Sequence, residues 1–296
     1  MVTGGAGFLG GHVVAELLAA GHEVVVFDCV PACGERVRGA SMVLGDLLDL
    51  PQLTTATQRI DGICHLGGVG DVYLAATQPA TAAAANVVGT ANVAEAARRN
   101  GVRRVVYAST WEVYGKPEQK TVCETHPCAP DHPYNITKHA GESMALASDR
   151  LMDVPTVALR LGTAFGAGMR PNSVFSRFIA MARRGEPITI QGTGLQSRQF
   201  THARDIARGF RLALESDVRG RAVNMVARES VSIRQLAEMV AARYPTAIEY
   251  VDARVGDVHS AVVDSTLAWK LFGWKAEVLF REGLEELFNE VESTPR

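Results

Sequence analysis

The sequence predicts an α/β protein, a doubly wound parallel sheet with a smaller mixed α/β C-terminal lobe, and three observations carry that expectation. The first is Thr-Gly-Gly-Ala-Gly-Phe-Leu-Gly at residues 3–10, which sets Gly4, Gly7 and Gly10 at three-residue intervals between an apolar start and a helical run. The second is the alternation of short, β-branched-rich apolar runs with helix-period segments up to Leu161. The third is the change of texture from Gly162 onward, to Gly, Pro, Arg and shorter segments. We therefore divide the chain into a sheet domain at 1–161, to which 202–226 returns, and a lobe formed mainly by 162–296.

The glycine stretch reads as a phosphate loop. The strand ending at Thr3 turns at Gly4, backbone approaches a pyrophosphate at Gly7, and Gly10 lets the next helix pack closely. That helix, from Phe8 and Leu9 to about Ala20, presents unpaired amides and a positive dipole end to the anion. Gly21-His22 closes it, Glu23–Phe27 is a buried strand, and Asp28 ends that strand, placed for a ribose diol. The βαβ unit is thus of the Rossmann kind. A carboxylate that accepts from both ribose hydroxyls repels a 2'-phosphate, so NAD is favoured over NADP. Arg36 and Arg38 are expected as solvated surface charges. Only Met1, Val2 and Thr3 precede the turn, whereas an ordinary strand has about five or six residues. Either a start further upstream or a clipped strand is expected.

The following elements fall in order. Ser41–Leu44 is a short strand leading to Gly45-Asp46-Leu47, where Asp46 either faces an adenine amine or serves as a cap or loop acid. Ile60–Leu66 is a buried strand that runs into Gly67-Gly68, small enough for backbone to pass close to the cofactor. Thr77–Asn100 is an Ala-rich helix carrying Asn86 and ended by Gly101. Arg103–Ala108 is a strand followed by Ser109-Thr110-Trp111-Glu112-Val113-Tyr114-Gly115. Tyr134 and Lys138, four apart on a helix expected to reach Ser148, share one face. Thr156–Leu161 is a strand. Beyond it come a helix at Val174–Arg184, strands at 188–191, 222–226 and 248–251, and helices at 203–214, 232–242 and 282–289.

Composition excludes several partners. The chain has 296 residues, 47% hydrophobic and 21% charged, with Lys plus Arg 30 against Asp plus Glu 32 and a net charge of -2. That balance argues against nucleic acid or an acidic membrane surface as partner. No apolar run is long enough to span a bilayer and no signal peptide precedes the first strand, so a cytoplasmic location is expected. The 5 cysteines, Cys29, Cys33, Cys64, Cys123 and Cys128, lack paired spacing and read as free thiols. Cys123, His126, Cys128 and His132 crowd one loop, but their irregular spacing favours thiols and surface imidazoles over a metal site.

These residues together resemble the extended short-chain dehydrogenase/reductases, in particular the NAD-dependent nucleotide-sugar epimerase/dehydratase family typified by UDP-glucose 4-epimerase. The resemblance covers nearly the whole chain. It rests on the glycine loop, Asn86-Val87-Val88-Gly89-Thr90, Val106 to Thr110 with Val113-Tyr114-Gly115, Pro133-Tyr134 with Lys138, and Leu159-Arg160. It continues through Arg198-Gln199-Phe200, Asp205, Arg254 with Gly256-Asp257, and Gly273-Trp274-Lys275. It implies tightly held NAD, a C-terminal lobe that grips a nucleoside diphosphate sugar, and a homodimer through the Thr77 and Tyr134 helices. Tyr134 and Lys138 match the catalytic pair, Thr110 the hydroxyl residue beside them, and Arg198 and Arg254 the phosphate-binding arginines. By the same match, the NAD contacts run from Gly4, Gly7, Phe8, Leu9, Gly10 and Asp28 through Asp46, Leu47, Leu66, Gly67, Asn86 and Ser109 to Tyr134 and Lys138. Thr163 and Thr110 join the two arginines on the substrate. The chain departs from the family at Gly162-Thr163, where Phe-Asn is frequent, at Gln199 for Asp, and at Gly67-Gly68 for Ala-Ala.

Oxidising a sugar alcohol needs a base for the hydroxyl proton while hydride leaves carbon. A phenol with pKa near 10 must fall by about three units, roughly 4 kcal/mol. An ammonium about 5 Å away at an effective dielectric near 20 contributes about 3.3 kcal/mol, and Lys138 one turn from Tyr134 suits that role. Arginines suit a pyrophosphate because their planar forks bind oxygens in pairs. The leading reading is an NDP-sugar 4-epimerase working through a transient 4-keto sugar. A decarboxylase or dehydratase using Glu112 on the same intermediate is the alternative, although Trp111 lacks the acidity a departing hydroxyl needs. A dinucleotide-sensing regulator shares the fold but has no use for Tyr134 and Lys138. A reductase of non-nucleotide substrates has no use for Arg198 and Arg254.

Overall fold

Runs of Val, Ile, Ala and aromatic residues form the strands at the centre of the molecule, because parallel strands covered on both faces must be apolar on both. The computed structural model describes residues 1–252 and 261–293. Seven parallel strands, Val2–Thr3 (β1), Val25–Asp28 (β2), Ser41–Leu44 (β3), Gly62–His65 (β4), Arg104–Thr110 (β5), Thr156–Leu161 (β6) and Arg221–Met225 (β7), make one sheet. Their order is β7-β6-β5-β4-β1-β2-β3. The strand order reverses between β1 and β4, and the crevice beyond the carboxyl ends of those strands is where such sheets bind ligands. β1 is only two residues long, yet it pairs on both sides: Val2 with Val26 and Cys64, Thr3 with Phe27 and His65.

Helices cover both faces. The helix Phe8–Ala19 packs Val13, Val14 and Leu17 into one core with Ile206 and Phe210 of the helix Ala203–Glu215. On the other face Phe27, Leu53, Ile63, Val93 and Val105 form a second core. Each such fully buried side chain contributes about 1.5–3 kcal/mol. Residues 77–100, expected as one helix, are instead a succession: Val72–Thr77, Pro79–Ala83, a π-helical turn Ala84–Val88, and Gly89–Arg99. Pro79 has no N–H to continue the preceding helix and starts a new one after Gln78.

The C-terminal part has its own core, where Phe165, Phe175, Phe200 and Phe280 lie with ring centroids within 6.3 Å of one another. Around it, Thr163–Phe165 pairs in parallel with Phe200–His202, and Ile188–Gln191 with Ile248–Val251. Phe280, Leu284, Leu287 and Phe288 bury one face of the final helix, which extends over Phe280–Ser293 rather than 282–289. The Tyr134 helix likewise runs on past Ser148 to Met152. Gln199 and Asp205 serve this architecture. Gln199 donates to Ala227 O (2.8 Å) and accepts from Val263 N (2.6 Å), while Asp205 accepts from Glu277 N and Val278 N, each at 3.0 Å. No helix among the described residues is long and apolar enough to cross a membrane.

Candidate active site

The glycine loop is shaped by contacts that tolerate no side chain. Gly4 has φ +70, and a Cβ on Gly10 would lie 1.9 Å from Gly4 O. The helix begins at Gly7 with no side-chain cap, so the amides of Phe8, Leu9 and Gly10 face the crevice without intrahelical partners. Asp28 sits beside them, its carboxylate accepting from Ala6 N at 3.0 Å and Val30 N at 3.3 Å. Leu47 fills the gap between two glycines, since a Cβ on Gly67 or on Gly89 would come within 3.0 Å of its side chain. Asp46 is exposed and accepts from Leu48 N (2.9 Å) in a local turn. Leu66 N donates to Thr3 O (3.1 Å), fixing the strand end that leads into Gly67.

Asn86 lies on the π-helical turn, where its side chain accepts from Val69 N (2.8 Å) and donates to Val69 O (3.1 Å) and Thr137 Oγ1 (3.0 Å). Gly68, at φ +146, leaves room for it: a Cβ there would lie 2.4 Å from Asn86 Oδ1. Asn86 thus ties the segment after β4 to the Tyr134 helix, and π-turns of this kind recur at functional sites.

The Tyr134 helix, Pro133–Met152, starts in a capping box: His132 Nδ1 accepts from Tyr134 N at 3.2 Å, and Asn135 Oδ1 accepts from His132 N at 2.8 Å. This cap fixes the first turn, from which the Tyr134 hydroxyl comes up to the Thr110 side chain at the end of β5. Burial pushes the Tyr134 phenol well above the ordinary tyrosine range and the charge of Glu112 adds to it, while Thr110 and the Arg170 guanidinium oppose both. Lys138 is buried, and burial lowers its ammonium to about 8 against the pull of Glu142. Glu112 is itself pushed up by burial, with Arg198 opposing.

Ser109 turns its hydroxyl away from the crevice and donates to Glu142 at 2.6 Å. Arg160 grips the same carboxylate at 2.7 and 3.0 Å, and also donates to Tyr114 OH (2.8 Å) and Cys128 Sγ (3.2 Å). Burial opposes the Arg160 charge, but the Glu142 hydrogen bonds outweigh it and hold the guanidinium well above the usual arginine range. Of the residues singled out in the 123–132 loop, Cys123 and His126 pair with each other, Cys123 N donating to His126 Nδ1, while His132 caps a helix and Cys128 meets Arg160. Among the described residues, Cys128, His139 and Glu142 are the one group with metal-ligand spacing, and the Arg160 cation already lies against two of them.

Arg198 ends the strand Ser197–Arg198 and acts on Glu112 through its charge, which brings it to the site. Thr163 lies half-buried on the strand paired with Phe200–His202. Arg254 lies outside the described residues. Two residues at the site escaped the sequence reading. Arg170 spans the crevice to Asp71 (2.8 Å) and Gly70 O (3.1 Å) and acts on Tyr134. Arg36, expected in solvent, is half-buried between Gly11 and Gly168, where a Cβ on Gly168 would lie 2.4 Å from its Nη1. Neither stands in a motif, so only the fold brings them in.

Comparison with known proteins follows the same lines. The model of the NAD dependent epimerase/dehydratase family matches residues 1–226. The chain belongs to the NAD-dependent epimerase/dehydratase family. A putative UDP-glucose 4-epimerase of Methanocaldococcus jannaschii is 28% identical, covering 100% of this chain and 99% of that one. UDP-glucuronic acid decarboxylase 1 of Danio rerio is 29% identical, covering 97% of this chain and 71% of that one. The structure of MoeE5 in complex with UDP-glucuronic acid and NAD superposes with a TM-score of 0.91 at 34% identity, covering 98% of each chain.

As a member of this family the chain is an NAD-dependent enzyme of nucleotide-sugar metabolism. Its residues fit the dinucleotide: the cradle at Gly4 and Gly10 that a Cβ would fill, the uncapped helix start, and the Asp28 carboxylate at the end of β2 are what a pyrophosphate and a ribose diol need.

Proposed function

We propose that the enzyme is an NDP-sugar 4-epimerase acting on a UDP-hexose or UDP-hexuronic acid, with residues 1–161 and 202–226 holding NAD and 162–296 gripping the nucleotide sugar. NAD, held at the Gly4–Gly10 loop and Asp28, would supply reversible hydride chemistry at C4 of the sugar. Tyr134 takes the proton of the C4 hydroxyl as a phenolate and gives it back when the 4-keto sugar is reduced on its other face. Thr110 hydrogen-bonds both the phenol and the reacting oxygen, and so holds the oxygen as it changes between hydroxyl and ketone. Lys138 supplies the positive charge that a buried phenolate requires. Arg198 and Arg254 bind the diphosphate.

One observation carries the choice of epimerisation. Trp111, the residue next to Thr110, is buried in a cluster with Tyr114, Val122, Val226 and Val263. That position therefore offers no acid to a leaving hydroxyl, and 4-epimerisation needs none. Decarboxylation is the second reading, favoured by Glu112 beside Tyr134 and by likeness to the zebrafish decarboxylase. Exposed Tyr73, Val88, Ile136 and Met144 on the helical segments of residues 72–88 and 133–152 support a homodimer through those helices. A cytoplasmic location accords with a soluble nucleotide-sugar substrate. The test is proton NMR of UDP-glucose and UDP-glucuronic acid incubated with the enzyme. Appearance of the C4 epimer supports the reading, and no epimer from either, nor from other NDP-sugars, overturns it.

A further inference from the structure

Lys138 is 7% exposed, and its ammonium makes no hydrogen bond to protein among the described residues. Burial disfavours an ammonium, and here it lowers Lys138 from the ordinary lysine value. What faces it is an aromatic ring, for Nζ lies 4.5 Å from the ring centroid of Tyr107, on β5 beneath the helix. Tyr107 is fixed there from several sides. Its hydroxyl donates to Lys138 O (3.2 Å), so the residue whose ring receives the ammonium also anchors the backbone of the same lysine. Its ring is tilted against His65 at 5.6 Å. Gly141 lets the helix descend onto it, since a Cβ there would lie 2.4 Å from both Tyr107 OH and Asn86 O.

Of the charged groups around Lys138, Glu142 raises its ammonium through space, against the effect of burial. His65 on β4 has both ring nitrogens engaged, with Thr3 Oγ1 (2.7 Å) and Thr90 Oγ1 (3.1 Å), and burial pushes it down to about 3, so it is neutral. Glu142, one turn further along the helix, makes no hydrogen bond to that ammonium, because Arg160 and Ser109 occupy its oxygens. Tyr134, one turn earlier, is held neutral in the resting site by burial. The face of the Tyr107 ring, negative by its quadrupole, is thus the attractive partner not already claimed by another cation.

We propose that Tyr107 is a positioning residue that keeps Lys138 protonated and in place through the face of its ring. This rests on the reading of Lys138 as the cation serving Tyr134. The test uses the NAD-bound enzyme with Tyr107 replaced by Phe, and separately by 3,4,5-trifluorophenylalanine, which keeps the ring and nearly cancels the negative potential of its face. The titration of Lys138 is read by NMR of 15N-labelled lysine. Lys116, Lys120, Lys270 and Lys275 are all exposed and serve as internal references. Tyr107→Phe should leave the Lys138 midpoint in place, and the trifluoro ring should lower it by about one pH unit. The alkaline limb of kcat/KM should move with it. An unmoved midpoint with the trifluoro ring overturns the proposal. A midpoint that moves while the kcat/KM profile stays still supports Tyr107 as the holder of the charge and overturns the role of Lys138 in turnover.

Discussion

The Tyr134 hydroxyl meets the Thr110 side chain across the join between the end of β5 and the first turn of the Tyr134 helix, and Thr110 draws its pKa down against burial. The two residues are 24 positions apart in sequence. They meet because the His132 capping box fixes the start of the helix where the strand ends. The site's proton chemistry centres on this pair.

Tyr134→Phe removes the phenolic oxygen and nothing else. Turnover should fall by about 10²–10⁴-fold, the usual contribution of a positioned acid-base group, while NAD remains bound. Steady-state kinetics with cofactor quantification checks it, and a wild-type rate contradicts the assignment.

Activity should decline above pH 8. Lys138 is lowered from 10.5 to about 8 by burial, so it is charged below that value and loses its charge above it. A Tyr134 phenolate then stands without its cation. For stability the sign is reversed: between about 8 and 10.5 the unfolded chain binds more protons at this group than the folded one, so its contribution rises with pH in that window. A kcat/KM profile recorded from pH 6 to 10 checks the first statement, and Lys138→Met should remove the alkaline limb along with most of the activity.

NAD should bind far more tightly than NADP, because the Asp28 carboxylate stands at the end of β2 beside Ala6 N with no arginine next to it in sequence. Asp28→Ala should narrow the difference by weakening NAD and relieving the repulsion of a 2'-phosphate. Calorimetric titration of both dinucleotides reads this directly.

Gly10→Ala should empty the cofactor site. The added methyl would lie 1.9 Å from Gly4 O, a backbone atom of the phosphate loop itself. Overpacking of this kind costs about 1–3 kcal/mol, here by displacing the loop. Gly21→Ala, where nothing lies within 4 Å but φ is +87, is the control: it should strain the helix end and leave NAD binding intact.

Much of this arrangement was legible in the sequence, and the reasons differ by region. The glycine loop, Asp28 and the Tyr134–Lys138 spacing could be read because each requirement falls on neighbouring residues or on one helical face. The strands Thr156–Leu161, Ile188–Gln191 and Ile248–Val251 were legible as compact β-branched runs. The helices Leu50–Ala56 and Thr266–Phe272 were not, being seven residues each, too short to show a period. The π-helical turn at Asn86 escaped because the bonds that fix it run to Val69 and Thr137. Tyr107 and Arg170 were missed for the same reason: nothing in their sequence neighbourhood sets them apart, and only the fold places them against Lys138 and Tyr134.

In 4-epimerisation hydride leaves and returns at C4 while the C4 hydroxyl loses and regains its proton, and no carbon–carbon bond or other carbon–hydrogen bond is broken. Turnover in deuterium oxide, followed by mass spectrometry and NMR, tests it most directly, with UDP-glucose and UDP-glucuronic acid as substrates for the wild type and Glu112→Gln. The expected result is the C4 epimer without deuterium at C5, no carbon dioxide from the uronic acid, and substantial activity in Glu112→Gln. Deuterium at C5, or carbon dioxide release that Glu112→Gln stops, would contradict it.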